Sequence, residues 1–210
     1  MSFFSRHGAL TTEQSNPSAL EEWQCTMATH IKENLLDSSS ILVATGGGAY
    51  LDTSLLDGYF TCDALDILSI HAYGDGDFSV DKLSPFVSKA LDAGKMLVMQ
   101  EWGACYYDSP NNRCSSSGAL DSATRDANLK KWTDNFGQAG VPWMYWQILP
   151  NEDPHQDWDY EVGIDGVNWE SLKGAAAAAS GYESSFDFAK WLPQGGGGGN
   201  ATASARRRTK

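Results

Sequence analysis

The segment Met96-Leu97-Val98-Met99-Gln100-Glu101-Trp102-Gly103 decides how the rest of the chain is interpreted. Its four leading apolar residues predict a strand that is buried on both faces, which is typical of a parallel sheet. Glu101 interrupts this apolar run. Because sites in parallel α/β folds lie at the carboxyl ends of the strands, we expect Glu101 to lie in a site. A carboxylate is costly to bury there unless it is paired or functional, so Glu101 is the first candidate for chemistry.

Three other apolar runs predict further strands, at Ile41–Thr45, Leu65–His71 and Val141–Ile148. Helical patterns alternate with the strands, and the first of them places five apolar residues on one helical face: Leu20, Trp23, Met27, Ile31 and Leu35. Later helices are predicted from Val80, around Leu129 and from Trp169. One helix followed by four βα units predicts an α/β fold with a parallel sheet and right-handed crossovers.

The predicted α/β domain covers residues 18–192. Residues 1–17 are predicted to be an irregular N-terminal segment, and residues 193–210 a Gly-rich, basic and disordered tail. With 210 residues and 41% hydrophobic content, the chain can bury one sizeable core.

Charge and hydropathy limit the class of partner. The net charge of −12 disfavours nucleic acid as a partner, whereas it does not act on a neutral ligand. No apolar stretch reaches the roughly 20 residues that span a bilayer, so we expect no membrane segment. The opening segment 1–7 is too short and polar for the apolar region of a signal peptide.

The four cysteines form no Cys-x-x-Cys pair, and none lies near a histidine at metal-site spacing. Cys105 and Cys114 flank a polar loop that suits a local disulfide, in which case Cys25 would pair with Cys62. Four free thiols in a reducing compartment are the alternative.

We predict no cofactor and no metal site. The glycines 46–48 follow a strand but lack the Lys-Ser/Thr ending of a phosphate loop, which also argues against an unrelated nucleotide-binding α/β protein. The acidic and aromatic segment 155–161 is a candidate for substrate contact, and its spacing matches no calcium loop.

Three predicted strands end in polar or aromatic groups: His71 with Tyr73, Glu101 with Trp102, and Trp146 with Gln147. Such strand ends build a polar mouth lined by aromatic rings. Sugars stack their apolar ring faces on Trp and Tyr and pair their hydroxyls with carboxylates, so we expect a neutral carbohydrate ligand.

The strand-end motifs resemble the second half of a glycoside hydrolase family 5 barrel, as in fungal secreted endo-β-mannanases: His71-Ala72-Tyr73, Glu101-Trp102-Gly103 and Trp143-Met144-Tyr145-Trp146. The resemblance covers residues 18–192 and implies a (β/α)8 TIM-barrel type, here a partial barrel with about the last four βα units. It further implies an extracellular, retaining endo-glycoside hydrolase that acts on a neutral β-linked polysaccharide, mannan or β-glucan.

The same resemblance implies roles for single residues. Glu101 would be the nucleophile and Tyr73 would donate a hydrogen bond to it. The substrate-binding residues would be His71, Tyr73, Trp102 and Trp146, with Trp146 as the stacking platform.

The sequence departs from the family at the second carboxylate that retaining hydrolysis needs. Family members carry this acid/base glutamate in an Asn-Glu pair at the end of the fourth strand. The sole Asn-Glu pair here, Asn151-Glu152, lies in a predicted turn and is not assigned a role. The alternative to an active enzyme is therefore an inactive truncated fragment or a carbohydrate-binding remnant, whose open sheet edges predict self-association.

Overall fold

The computed structural model describes residues 16–35, 40–114 and 118–192. The predicted irregular segment 1–17, except for its last two residues, and the predicted tail 193–210 lie outside the described residues.

The order of helices and strands follows the predicted alternation. The elements are α1 (Pro17–Asn34), α2 (Leu51–Ser54), α3 (Asp57–Thr61), β1 (Ile67–His71), α4 (Val80–Asp92), β2 (Met96–Glu101), α5 (Ser122–Gln138), β3 (Ile148–Leu149), β4 (Val162–Gly163) and α6 (Trp169–Ala179). The predicted helices α1, α4, α5 and α6 are confirmed, whereas α2, α3 and β4 were not predicted. In the described part of the chain, no helix is both long and apolar enough to cross a bilayer.

β1 and β2 form the centre of the sheet, and they are parallel as predicted. Ile67 lies opposite Met96, and this register continues to Ile70 opposite Met99. It then shifts by one residue, so that His71 lies opposite Glu101. The two strand ends that carry the predicted chemistry are therefore adjacent.

The two outer predicted strands are present only as short parallel contacts, so their predicted lengths are wrong. Ala44 bridges to Ile67, and Trp143 bridges to Met99. Pro142 has no N–H to donate, which limits the pairing of the last predicted strand. In the first predicted strand, Ile41–Thr45, the Val43 N–H donates to the Asp66 carboxylate at 2.7 Å and not to a strand carbonyl.

The core fills the space between the β1–β2 pair and helices α4 and α5. Its fully buried members include Leu68 and Ile70 of β1 and Leu97 and Met99 of β2, as the continuous apolar runs predict.

The apolar stripe of α1 lies on the outside of this core. Leu20, Met27 and Ile31 are exposed, Trp23 is 60% exposed, and Ala28 is the helix residue that is buried. The periodicity predicted the helix correctly, but the described residues do not cover its apolar face.

Both predicted disulfides are confirmed. Cys25–Cys62 ties α1 to the residue that follows α3, and Cys105–Cys114 closes the loop after β2. All four cysteines are thereby paired.

Removing each disulfide should destabilise the fold according to the length of the loop it closes. The Cys25–Cys62 bridge spans a sequence separation of 37 and the Cys105–Cys114 bridge one of 9. Chain entropy then predicts losses of about 4 and about 2.6 kcal/mol in the free energy of unfolding. Urea unfolding of the Cys25→Ala/Cys62→Ala and Cys105→Ala/Cys114→Ala variants measures both losses. Full stability of either variant would contradict the expectation.

Candidate active site

Glu101 and His71 meet at the carboxyl ends of β2 and β1. His71 Nδ1 lies 3.7 Å from Glu101 Oε2, and the two side chains are 22% and 25% exposed. The contact depends on the register shift, because an unbroken register would place Gln100 opposite His71. The carboxylate is thus held within the protein yet reachable from solvent.

Tyr73, two residues beyond His71, binds the other carboxylate oxygen. Its hydroxyl donates to Glu101 Oε1 at 2.6 Å. Burial, and then the hydrogen bond to Glu101, raise the pKa of Tyr73 above its usual value. The phenol therefore stays protonated and keeps donating to Glu101 at neutral and mildly alkaline pH.

His71 is held by groups on three segments. Its ring Nε2 lies 3.1 Å from Gln100 Oε1, and its backbone N–H donates to Ser54 Oγ at 3.1 Å. The ring also packs against Gly47, where a Cβ would lie 2.5 Å from His71 Cδ2. Gly47 has a φ of +71°, so both its conformation and its lack of a side chain are needed. The glycine run that the sequence left without a role thus forms one wall of the site.

Asn112 joins the two strand ends, and sequence reasoning missed it. Its side-chain amide donates to the carbonyls of Tyr73 and Gly103, both at 2.8 Å, and its Oδ1 accepts from the Cys105 N–H at 2.7 Å. Asn112 is buried within the loop that the Cys105–Cys114 disulfide closes. No pattern in the sequence distinguishes it from Asn111, which is exposed.

Tyr160 supports Tyr73 from the side. The sequence placed Tyr160 in the segment 155–161, proposed for substrate contact, but did not predict this supporting role. The two rings lie 4.4 Å apart, and the Tyr160 hydroxyl donates to the Asn112 carbonyl at 2.8 Å. Gly103 allows this packing, since a Cβ there would lie 2.5 Å from Tyr160 Cβ and 2.8 Å from the Trp146 carbonyl oxygen.

The burial of Trp102 contradicts the prediction that this residue binds substrate. It is 0% exposed, and its ring lies 5.0 Å from those of Phe136 and Tyr145. Successive side chains of a strand point to opposite faces, so the residue after a site-facing Glu101 turns into the core.

Trp146 lies at the neighbouring strand end and is half-buried. Its backbone N–H donates to the Trp102 carbonyl at 2.8 Å, which places it beside the residue that follows Glu101. Glu152, by contrast, is exposed in the turn after β3, where the sequence predicted a solvated residue. The structure therefore gathers His71, Tyr73 and Glu101 at one edge of the sheet, with Trp146 at the next strand.

This arrangement suits a carboxylate that acts on a substrate. One oxygen of Glu101 is oriented by a phenol and the other faces an imidazole, while part of the side chain remains open to solvent. A carboxylate oriented in this way can attack an electrophilic carbon or accept a proton.

Comparison with known proteins adds a family and a fold. The chain matches the family model described as Cellulase (glycosyl hydrolase family 5) over residues 18–152, which include the site. No curated protein matches the chain significantly in sequence.

Several solved structures are similar. The endo-1,4-beta-mannanase from Rhizomucor miehei is 18% identical with a TM-score of 0.54, and the match covers 79% of this chain and 47% of that chain. The endo-beta-1,4-mannanase from Thermotoga petrophila is 17% identical with a TM-score of 0.51, and the match covers 78% of this chain and 40% of that chain. The glycoside hydrolase family 5 mannosidase from Rhizomucor miehei is 16% identical with a TM-score of 0.54, and the match covers 77% of this chain and 48% of that chain. This chain thus spans about half the length of these proteins, with which it shares a fold.

Replacing Gly47 by alanine should displace His71, whereas the same change at Gly46 should have little effect. A methyl group at Gly47 meets the imidazole, but at Gly46 it meets nothing within 4 Å. We expect Gly47→Ala to lower the free energy of unfolding by about 1 to 3 kcal/mol and to shift the His71 ring resonances. Urea unfolding and imidazole NMR measure these effects. If both variants changed the free energy of unfolding and the His71 resonances equally, Gly47 would not be a contact of His71 that the site needs.

Proposed function

The chain belongs to glycosyl hydrolase family 5, and on that premise we propose that it carries the nucleophile of a retaining endo-glycoside hydrolase. The substrate is a neutral β-linked polysaccharide, mannan or β-glucan. The observation that carries this proposal is the Glu101 carboxylate at a parallel strand end, held by Tyr73 at 2.6 Å and facing His71.

In the first step, a carboxylate oxygen of Glu101 attacks the anomeric carbon while the bond to the leaving oxygen breaks. A second carboxyl group protonates that oxygen, and water later releases the sugar from Glu101. Tyr73 keeps the nucleophile oriented for attack, and its hydrogen bond weakens as the carboxylate charge is lost. His71 lines the same subsite, and Trp146 offers its ring to a sugar face.

The family fold is the (β/α)8 barrel, and we propose that this chain contributes about the last four βα units of one. Two observations support this. The outer strands pair through single bridges, and the apolar stripe of α1 is exposed where a preceding unit would pack. The match to roughly half of each mannanase fits the same arrangement.

We also propose that the protein is extracellular. The chain has two disulfides. Disulfides persist in oxidising compartments and are rare in the cytosol. A polysaccharide is too large to enter a cell, so an enzyme that cuts it acts outside.

A mechanism-based label tests the nucleophile without a second carboxyl group. A 2-deoxy-2-fluoroglycosyl fluoride has a leaving group that needs no protonation, so attack by Glu101 expels fluoride and leaves the fluoro-sugar as an ester. We expect mass spectrometry to find one fluoroglycosyl group on the peptide that contains Glu101, with a manno- or gluco-configured reagent. Glu101→Gln, which keeps the shape of the side chain, should abolish the label.

Glu152→Gln is the matched control, because Glu152 is exposed and outside the Glu101 contacts. It should label like the unchanged chain. Failure of both reagents to label the folded chain, or a label on another residue, would overturn the assignment. With unmodified mannan and β-glucan, the same variants report whether the chain also completes the full reaction.

The second candidate function is an inactive fragment or a carbohydrate-binding remnant. It is favoured by the position of Asn151-Glu152, which is exposed in a turn and therefore unsuited to a fixed acid/base role. On this hypothesis the chain associates with itself through its open sheet edges and the uncovered stripe of α1.

Self-association should depend on that stripe. Trp23 and Met27 are both exposed on it, so the Trp23→Ser/Met27→Ser variant should shift a concentration-dependent dimer or larger species towards monomer. Sedimentation velocity over a range of protein concentrations measures this. Val167→Ser is the control, since Val167 is 78% exposed on a different part of the surface. A monomer at every concentration, or a variant that associates like the control, would exclude this surface.

A further inference from the structure

A second cluster of chemical groups lies in the loop between β3 and β4, apart from Glu101. It consists of Asp153, His155 and Asp159. His155 Nδ1 lies 2.8 Å from Asp159 Oδ2 and 3.6 Å from Asp153 Oδ2. One ligand atom from each residue lies within 4.8 Å of the others.

The cluster is held in place by the disulfide-closed loop after β2. The Tyr106 ring stacks on His155 with 3.5 Å between ring centres, and the Tyr107 hydroxyl donates to the His155 carbonyl at 2.8 Å. The backbone N–H of Tyr106 donates to the Asp159 carbonyl at 2.9 Å. The three side chains therefore converge because two loops fix their backbones.

Two buried carboxylate oxygens in the cluster have no hydrogen-bond partner among the described residues: Asp153 Oδ2 and Asp159 Oδ1. Asp153 is 8% exposed and Asp159 is 0% exposed. His155 presents at most one proton at Nδ1, which can serve only one of the oxygens around it. Unpartnered buried carboxylates are costly, so this geometry favours a bound positive group.

Among the described residues, Arg125 does not supply it. Its guanidinium donates to the Ala104 and Glu161 carbonyls and to Asn168.

We propose that Asp153, His155 and Asp159 bind a divalent transition-metal ion, with Zn²⁺ as the fitting ion. Imidazole and carboxylate together suit Zn²⁺, whereas Ca²⁺ and Mg²⁺ prefer oxygen ligands alone. Two carboxylates with neutral imidazole balance the charge of the ion. Ligands at Zn²⁺ bond lengths lie roughly 3.4 Å apart, so the observed 2.8 and 3.6 Å need only small adjustments.

Solvent reaches the cluster on the histidine side, because the His155 side chain is 36% exposed. This leaves an entry path for the ion and a place for water as the fourth ligand. The cysteines do not compete, since all four are in disulfides.

Bound Zn²⁺ would brace the site of Glu101 indirectly. Tyr160 follows Asp159 in the chain and packs on Tyr73 at a ring distance of 4.4 Å. Fixing Asp159 therefore fixes the ring that supports the hydrogen-bond donor of Glu101. The ion has a structural role here and takes no part in the reaction.

Calorimetric titration of the full chain with ZnCl₂, CaCl₂ and MgCl₂ tests the proposal. We expect one Zn²⁺ per chain, with Ca²⁺ and Mg²⁺ at least 100-fold weaker, and a higher thermal midpoint with Zn²⁺. Asp159→Asn and His155→Gln should each weaken Zn²⁺ binding at least 10-fold. Asp157→Asn is the matched control in the same loop, because Asp157 is exposed, and it should bind like the unchanged chain.

A second readout needs no variant, which matters if Asp159→Asn fails to fold. Zn²⁺ should shift the His155 Nδ1 resonance and leave those of His71 and His30 in place. Absence of Zn²⁺ binding, equal binding of Ca²⁺, unchanged binding after His155→Gln, or an unmoved His155 resonance would each overturn the proposal. In those cases the cluster is a hydrogen-bonded group that holds no ion.

Discussion

The one-residue shift in register between β1 and β2 is the constraint on which the candidate active site depends. It leaves Gln100 without a residue opposite it in β1 and brings Glu101 opposite His71. In an unshifted pair, the alternation of side chains along a strand would turn Glu101 away from this edge. Bulges next to active sites commonly re-aim a side chain in this way. Asn112 then keeps the irregular strand ends together by bonding the carbonyls beyond both of them.

The order of helices and strands followed from the sequence because each element has its own period of apolar residues. The central residues of β1 and β2 are buried, and Ser69 is the one polar residue among them. The outer strands were predicted too long, because Pro142 and the Asp66 side chain replace regular strand pairing there. The stripe of α1 was predicted as an apolar face, but periodicity does not say what covers a face. That answer depends on neighbours beyond the described residues.

The site was predictable where its residues lie at strand ends and not where loops supply them. His71, Tyr73 and Glu101 follow apolar runs, and parallel pairing brings the ends of such runs together. Asn112 and Tyr160 come from loops whose path depends on the disulfide and on long-range packing, so no local pattern distinguishes them from other polar or aromatic loop residues. The burial of Trp102 follows from the alternation of side chains along a strand, whereas the family motif suggested that Trp102 binds substrate.

The two carboxylate sites differ in how their oxygens are satisfied, and this difference separates their roles. Glu101 is partly open to solvent, with one oxygen bound by a phenol and the other near an imidazole, so it is held in place and accessible to a substrate. Asp153 and Asp159 are almost fully buried around His155, and one oxygen of each has no hydrogen-bond partner among the described residues. Open, oriented carboxylates suit attack on a substrate, because their charge can be lost and regained in a reaction cycle. Buried, undersatisfied carboxylates suit a resident cation, because a lasting positive charge offsets their desolvation.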